Sequence, residues 1–231
     1  MSPILRYCER AGLPVPDAAT VAQAERALAE LADAASHARA DSDLYRYRVP
    51  ELSDDGSCSL FESLAAAPYD LSRILGGESA QTSRQLAALN AMVQRLSERT
   101  EAGWAGIYQA RQLADGSRAL IKLAYQGKPS RAEFPLTPEF AAHSNNSTVG
   151  LSGQAKLISR VADHVAAGGA YYKCDPAVQS EACLPLFDSA GTVVGIVDVE
   201  DSRASWFDGE RLGWVIGLCL MAVEYLPAGA D

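Results

Sequence analysis

The chain has 231 residues, of which 48% are hydrophobic and 21% charged, and its formal net charge is −9 at pH 7. This composition is typical of a globular protein, and the length allows one domain with an extension or two small domains. An acidic chain with no basic stripe is poorly suited to nucleic acid or to anionic membrane surfaces, which attract clustered lysine and arginine. We therefore expect neither as a partner.

The most apolar run, LGWVIGLCLMAV at 212–223, is shorter than the roughly 20 residues that a membrane-spanning helix needs, so it predicts a buried core helix. The first residues show no apolar segment of a secretory signal, and the five cysteines include no Cys-x-x-Cys pair. We expect reduced thiols and a cytoplasmic location. The scattered histidines predict no metal site, and the glycosylation sequon NNST at 145–148 has no meaning without export.

The first 78 residues are predicted to form a helical N-terminal extension. Residues 17–40 are rich in alanine and place apolar side chains on one helix face, with Asp17 or Thr20 as the N-cap. A loop rich in Pro, Asp, Gly and Ser follows, and then a shorter helical stretch is expected around 60–76.

Residues 79–231 are predicted to form a second unit, an α+β domain in which helices pack on an antiparallel sheet. In chain order the patterns predict an amphipathic helix over 79–100, two strands joined at Asp115-Gly116, a strand over 132–136, a turn leading into a short helix over 147–159, a second hairpin with its loop near 189–191, and a core helix from the N-cap Asp208 to Pro227.

Three carboxylates are expected to meet on the second hairpin. A two-residue turn at 190–191 would pair Glu181 with Glu200 and Cys183 with Asp198, because strand side chains alternate between faces. Crowded, half-buried carboxylates repel one another, so at least one should hold its proton near neutral pH and be able to donate it to a substrate. The alternative is that this end of the strand is merely solvated. The same alternation puts Val194 and Ile196 on the carboxylate face.

Cys174 lies in a polar, turn-prone segment before this hairpin and is the candidate reactive thiol. Lys173 would favour its thiolate, whereas Asp175 would oppose it. A single loop cysteine more often has no function than a catalytic one. Cys183 and Cys219 lie in apolar periodic segments and are expected to fill the core.

Five segments, read in order, resemble the GAF-fold free methionine-(R)-sulfoxide reductases: GWAGIYQA, QGKPSRAEFPL, VGLSGQA, YYKCDPAVQSEACLPLF and VVGIVDVEDSRASWFD. The resemblance covers roughly residues 80–226. It implies a six-stranded antiparallel sheet with flanking helices, usually in a homodimer, and a pocket that closes over a free amino acid whose side chain ends in a sulfoxide. It implies no cofactor.

The resemblance also assigns site residues. Trp104 and Tyr108 match the aromatic residues that surround the methyl group of the substrate, although alternating aromatics on a strand commonly just pack in a core. Glu181, Asp198 and Glu200 match the acidic residues that engage the sulfoxide, with Glu200 in place of an aspartate. These are the same three carboxylates that the hairpin pattern brings together.

Cys174 matches the attacking cysteine of the family, but Arg131 and Ser152 hold the positions of its two other cysteines. Both are counted here as candidate substrate-binding residues. Arg131 at the pocket mouth would attract a carboxylate or lower the pKa of Cys174; the alternative is a solvated arginine at a strand edge. Attack on the sulfoxide yields methionine and a cysteine sulfenic acid, which a second thiol must reduce.

The predicted function is thiol-dependent reduction of free methionine-(R)-sulfoxide or of a closely related small amino-acid-like substrate. Three interpretations of the missing cysteines stay open. A small thiol or a redoxin regenerates Cys174; Cys58 of the extension does so; or the reductase activity is lost, and the domain binds a small molecule as a sensory module or runs a different reaction on a small polar substrate.

Overall fold

The N-terminal extension contains two helices and a short β-ribbon in the computed structural model, which describes residues 1–52, 63–169, 171 and 175–228. Helix α1 spans Pro3–Arg10 and α2 spans Ala18–Ser36. The carboxylate of Asp17 accepts the backbone N–H of Thr20 at 2.7 Å, so Asp17 is the N-cap and the predicted helix is confirmed. Cys58 and Cys174 lie outside the described residues.

The helix expected around 60–76 is wrong over the part of that segment that the structure describes. Strand β1 (Arg46–Tyr47) pairs with β2 (Tyr69–Asp70), and only a single 3-10 turn, Leu71–Arg73, follows. Pro68 disfavours a helical conformation for the residue before it, and the Asp70 side chain accepts the N–H of Ser72, which favours a turn over a continued helix.

The remaining elements form a six-stranded antiparallel sheet with helices on both faces, as the resemblance implied. They are α3 (Ala80–Thr100), β3 (Trp104–Gln112), β4 (Arg118–Gln126), β5 (Glu133–Pro135), α4 (Pro138–Ala141), α5 (Asn145–Ser152), β6 (Lys156–Ile158), α6 (Val161–Ala166), β7 (Ser180–Phe187), β8 (Val193–Asp201) and α7 (Gly209–Ala222). The strand order is β5-β4-β3-β8-β7-β6. Helix α7 is the predicted core helix, and no helix in the described part of the chain has both the length and the apolar content to cross a membrane.

Residues 147–159 differ from the prediction, because the helix precedes the strand instead of following a turn. The Ser144 hydroxyl accepts the N–H of Ser147 and caps α5, and Gly153, with φ of +66°, ends it. The chain then enters β6, which pairs with β7 at the edge of the sheet.

Two apolar clusters lie on opposite faces of the sheet. The larger one contains α3, α7 and the inward residues of the strands, together with α1 and α2 of the extension. In it the Tyr7 hydroxyl of α1 donates to the backbone carbonyl of Pro185 at 2.8 Å. The division at residue 78 stays a prediction, but the two parts share one core. The smaller cluster, under α5, includes Trp104, Tyr108 and Cys183.

The β7–β8 hairpin has the predicted register, but its loop differs from the predicted two-residue turn. Its loop has three residues, 189–191, with Gly191 at φ of +86° and the Asp188 N–H donating to the Thr192 carbonyl at 3.0 Å. This loop alone would shift the pairing by one residue. A β-bulge at Val194 shifts it back, because Leu186 pairs with Gly195 while the next pair is Phe187 with Val193.

The bulge has two consequences for the faces of the hairpin. Glu181 lies opposite Glu200, and Cys183 lies opposite Asp198, so the predicted pairing is confirmed. Val194, in contrast, packs against the larger cluster instead of sharing the face of Ile196 and Asp198, because the extra residue breaks the alternation at that point.

Candidate functional site

A small cavity, here called the inner chamber, lies on the face of the sheet that α5 covers. One wall is aromatic, formed by Trp104, Tyr108 and Phe134, and the other is polar, formed mainly by side chains of α5, β7 and β8. Its volume is about 20 Å³, which is room for roughly one water molecule or ion.

The polar wall is built around two buried carboxylates that α5 holds. Glu181 is 2% exposed, and its Oε1 accepts the Asn145 side-chain amide at 2.6 Å. Asp198 is 3% exposed, and its Oδ2 accepts the Asn146 side-chain amide at 3.0 Å. The cap at Ser144 starts α5 at a point where both asparagines of its first turn face the hairpin. Glu200, the third carboxylate, lines the same chamber and is partly buried.

Burial shifts the titration of both carboxylic acids. It raises the pKa of Asp198 to about 7, although the hydrogen bonds from Asn146 and Glu181 favour the charged form. Burial and the adjacent Asp198 charge hold the pKa of Glu181 well above its ordinary range, against hydrogen bonds from Asn145 and Tyr171. Both shifts act in the direction of the prediction, because they favour a protonated carboxylate on the hairpin near neutral pH.

Cys183 adjoins the same carboxylates and is fully buried. Burial, followed by the charges of Asp198 and Glu181, raises the pKa of its thiol well above the ordinary value, so Cys183 is protonated near neutral pH. The prediction that it fills the core is confirmed as far as burial goes, but its neighbours are acidic as well as apolar.

The aromatic wall is tightly packed. The ring centroids of Trp104 and Tyr108 lie 6.3 Å apart, and Tyr108 meets Phe134 edge-on at 5.4 Å. The Trp104 indole N–H donates to the Lys128 carbonyl at 3.1 Å, which fixes the ring above Gly106. A methyl group at position 106 would overlap the indole, so glycine lets the ring lie in this position.

A second cavity of about 240 Å³, here called the outer chamber, adjoins the inner one and shares Trp104, Ser130 and Glu200 with it. Lys128 and Asp175 form an ion pair of 2.9 Å on its rim. The outer chamber has room for a small amino acid and presents both signs of charge.

Arg131 and Ser152 are not among the described residues that line either chamber. Arg131 is 7% exposed, so it is not a solvated arginine; its guanidinium lies 4.8 Å from the centroid of the Phe140 ring, and its Nε donates to the Glu133 carbonyl. Ser152 is exposed at the end of α5, where its hydroxyl donates to the Thr148 carbonyl at 2.7 Å. The structure thus brings together Trp104, Tyr108 and the three carboxylates and places these two residues elsewhere.

Sequence reasoning misses Asn145, Asn146 and Tyr171. The two asparagines stand in the segment NNST, where the sequence pattern indicates only a glycosylation sequon. The signal that is present is a good N-cap, Ser144, followed directly by two amide side chains, a pattern that places hydrogen-bond donors in the first turn of a helix.

Comparison with known proteins matches the GAF domain model to residues 86–221. Similar solved structures include the type II free methionine-R-sulfoxide reductase of Thermoplasma acidophilum, with 21% identity, a TM-score of 0.53, and coverage of 63% of this chain and 94% of that chain. Free methionine-R-sulfoxide reductase of Neisseria meningitidis, in complex with its substrate, has 20% identity, a TM-score of 0.49, and coverage of 61% and 78%. A putative GAF sensor protein of Burkholderia vietnamiensis has 26% identity, a TM-score of 0.46, and coverage of 65% and 80%. No curated protein matches the sequence.

Proposed function

We propose that this chain, a member of the GAF domain family whose model matches more than half of its length, reduces free methionine-(R)-sulfoxide or a closely related amino-acid sulfoxide. The observation that carries this proposal is the buried acid pair, Glu181 and Asp198, in one chamber with the aromatic wall. Sulfoxide reduction needs a proton donor that titrates near neutrality and apolar surface for the methyl group, and the inner chamber supplies both.

In the proposed reaction the Cys174 thiolate attacks the sulfoxide sulfur while the acid pair gives a proton to the sulfoxide oxygen. The oxygen moves from the substrate to the cysteine, so the sulfoxide is reduced to methionine and Cys174 is oxidised to a sulfenic acid. Asp198 then regains its proton from solvent. Its pKa of about 7 leaves a large protonated fraction at neutral pH.

Regeneration is assigned to an external thiol, either a small molecule or a redoxin, because Arg131 and Ser152 supply no sulfur. One thiol condenses with the sulfenic acid and releases water, and a second thiol displaces Cys174 from the mixed disulfide. Cys58 is the alternative second thiol, and peptide mapping of oxidised protein for a Cys58–Cys174 disulfide distinguishes the two routes.

The two chambers divide the proposed substrate between them. The inner chamber, at about 20 Å³, takes only the sulfoxide oxygen and adjoining atoms, whereas the outer chamber, at about 240 Å³, takes the rest of the amino acid. Lys128 and Asp175 on the outer rim carry charges opposite to those of a carboxylate and an ammonium group, respectively.

The second candidate is a GAF module that binds a small molecule without turning it over. Arg131 and Ser152, at the two family cysteine positions, favour this candidate because neither can act as a resolving thiol. The small volume of the inner chamber favours it as well. Such a module would hold its ligand in the outer chamber and against the aromatic wall, and it would not use the acid pair as a proton donor.

The deciding experiment incubates the purified protein with free methionine-(R)-sulfoxide and excess dithiothreitol and measures the methionine formed. Cys174→Ser should abolish turnover, and Asp198→Asn should lower kcat/KM by about 10²–10⁴-fold. Cys219→Ala, which alters a buried thiol of α7 in the larger apolar cluster on the other face of the sheet, is the matched control and should retain activity. Binding of the sulfoxide without turnover would favour the sensory module, and equal turnover by wild type and Cys174→Ser would exclude the mechanism.

A further inference from the structure

Three ligand-bearing side chains converge beside the inner chamber. A carboxylate oxygen of Glu181, the Sγ of Cys183 and a carboxylate oxygen of Asp198 all lie within 4.8 Å of one another, and all three residues are buried. The hairpin register brings them together, because Glu181 and Cys183 are two residues apart on one face of β7 and Asp198 lies directly opposite Cys183 on β8.

The side chains around this cluster in the described part of the chain satisfy its carboxylates only in part. Asp198 Oδ2 accepts a hydrogen bond from Asn146, whereas Oδ1 is buried and has no amide, hydroxyl or cationic donor in the described part of the chain. Among the described residues no lysine or arginine forms an ion pair with either carboxylate. A proton shared with Glu181, or a cation, is what such a buried oxygen requires.

We propose that Glu181, Cys183 and Asp198 bind a thiophilic divalent cation of the Zn²⁺ class, with a water molecule as the fourth ligand. One thiolate and two carboxylates are ligands that Zn²⁺ accepts in tetrahedral sites, whereas Mg²⁺ and Ca²⁺ require more oxygen ligands and no sulfur. The sequence-based expectation of no metal site rests on the histidines, and this ligand set contains none.

The dimensions fit after a modest contraction. Zn–S bonds of about 2.3 Å and Zn–O bonds of about 2.0–2.2 Å place tetrahedral ligand atoms roughly 3.5 Å apart, so ligand atoms up to 4.8 Å apart must approach by about an ångström. The space of about 20 Å³ beside them holds one water-sized body. Asn145 and Asn146 are placed to orient the carboxylates, as outer-sphere partners do in other metal sites.

Binding of the cation and retention of protons exclude each other. The proton of the Cys183 thiol and the proton held by the acid pair are both released when the metal binds, so affinity rises with pH. In the part of the chain that the structure describes, the other titratable groups around this region are Tyr171, Tyr108 and Glu200 on the chamber side and Cys219 and Tyr7 within electrostatic reach of Cys183. If the proposed reductase function holds, the bound cation removes its proton donor and inhibits turnover; this consequence rests on that function, whereas binding itself does not.

The test uses the reduced full-length protein and Co²⁺ as the probe, with no substrate present. Wild type should bind one equivalent and show a thiolate-to-cobalt charge-transfer band in the near ultraviolet, which Zn²⁺ should bleach. The band should be lost in Cys183→Ser and retained in Cys174→Ser and in Cys219→Ser. Absence of the band in wild type, its persistence in Cys183→Ser, or its loss in Cys174→Ser would overturn the proposal.

A second variant tests the site independently, in case Cys183→Ser does not fold. Glu181→Gln keeps the thiolate and should keep the charge-transfer band while weakening Co²⁺ affinity at least tenfold, and unchanged affinity would also overturn the proposal. Because the readout is optical and needs no turnover, failure of metal binding leaves the methionine assay unaffected, and an inactive enzyme leaves the cobalt result unaffected.

Discussion

The two faces of the β7–β8 hairpin are both largely buried but differ in their chemistry. Toward α3 and α7, the alternate residues Leu184, Val197 and Val199 are completely buried in the larger apolar cluster. Toward α5, the residues between them include Cys183 and Asp198, which are buried to nearly the same extent. The same backbone therefore supports one face that stabilises the fold and one face whose buried carboxylates cost stability.

The energetic cost of burying the acidic face is reflected in the raised pKa values of its carboxylates. Burial of apolar side chains stabilises the folded state, whereas burial of an ionised carboxylate destabilises it because the charge loses its hydration. Burial raises the pKa of Asp198 to about 7, and the hydrogen bonds from Asn146 and Glu181 offset only part of the effect. The comparison teaches that the apolar face should dominate stability, whereas the acidic face should dominate its dependence on pH.

The largest effect is expected from breaking the apolar face. Leu184→Ala should lower the free energy of unfolding by about 2–5 kcal/mol, because it removes a fully buried side chain and leaves a cavity. Leu151→Ala, at a leucine that is 43% exposed, is the matched control and should change it by less than about 0.5 kcal/mol. Urea denaturation followed by circular dichroism measures both, and equal losses in the two variants would contradict the comparison.

An effect that depends on pH is expected from the acidic face. Between the ordinary pKa of 3.8 and the native value of about 7, Asp198 is protonated in the native state and ionised in the unfolded state. The native state thus binds more protons, so the free energy of unfolding falls as pH rises through this window, by up to roughly 1.4 kcal/mol for each step of one in pH. Glu181, whose pKa is also raised, acts in the same direction.

Asp198→Asn should remove the contribution of Asp198 to this dependence, so the variant should be less sensitive than wild type between pH 4 and pH 8 and relatively more stable above pH 7. Denaturation curves at several pH values measure the difference between the two proteins. Asp188→Asn, at a carboxylate in the hairpin loop, is the matched control and should follow wild type. A wild-type protein that gains stability relative to Asp198→Asn as pH rises would show that the carboxylate is not held protonated.

The elements that the sequence predicts correctly are those whose signal is local. Helix α3 has strong apolar periodicity, helix α7 is a continuous apolar run after the N-cap Asp208, and both hairpins contain turn residues between β-rich runs. The pairing of the acidic residues is predicted from one hairpin. The prediction misses both the third loop residue and the bulge, but the two shift the register in opposite directions and cancel. The predictions around residues 69 and 156 are wrong because the short strands there are defined by partners far away in the chain.

The residues of the candidate site also fall into those with a local sequence signal and those without one. The carboxylates on β7 and β8 are predictable because one register places them. Asn145 and Asn146 reach them from α5, across a contact between segments more than 30 residues apart, as the separations of 36 and 52 residues show. The surroundings of Arg131 depend on Phe140, on a different element, so its burial has no local signal.

The smallest effect on stability is expected from Gly106→Ala, which tests whether the aromatic wall of the acidic face is fixed by packing. The position does not have a positive φ, so alanine is compatible with the backbone, but its methyl group overlaps the Trp104 indole. The indole should move and lose its hydrogen bond to the Lys128 carbonyl, at a cost of about 1 kcal/mol. Tryptophan emission should shift to longer wavelength as the ring becomes more exposed.

The control for this shift is Trp104→Phe, which should remove it and so assign it to this indole instead of Trp206 or Trp214. Under the proposed function KM should rise in Gly106→Ala while the pH dependence that Asp198 imposes stays unchanged, because the substitution alters the wall that contacts the methyl group and leaves the acid pair in place. Unaltered emission together with unaltered KM would mean that the ring has room to move, and the aromatic wall would then be a flexible boundary of the chamber.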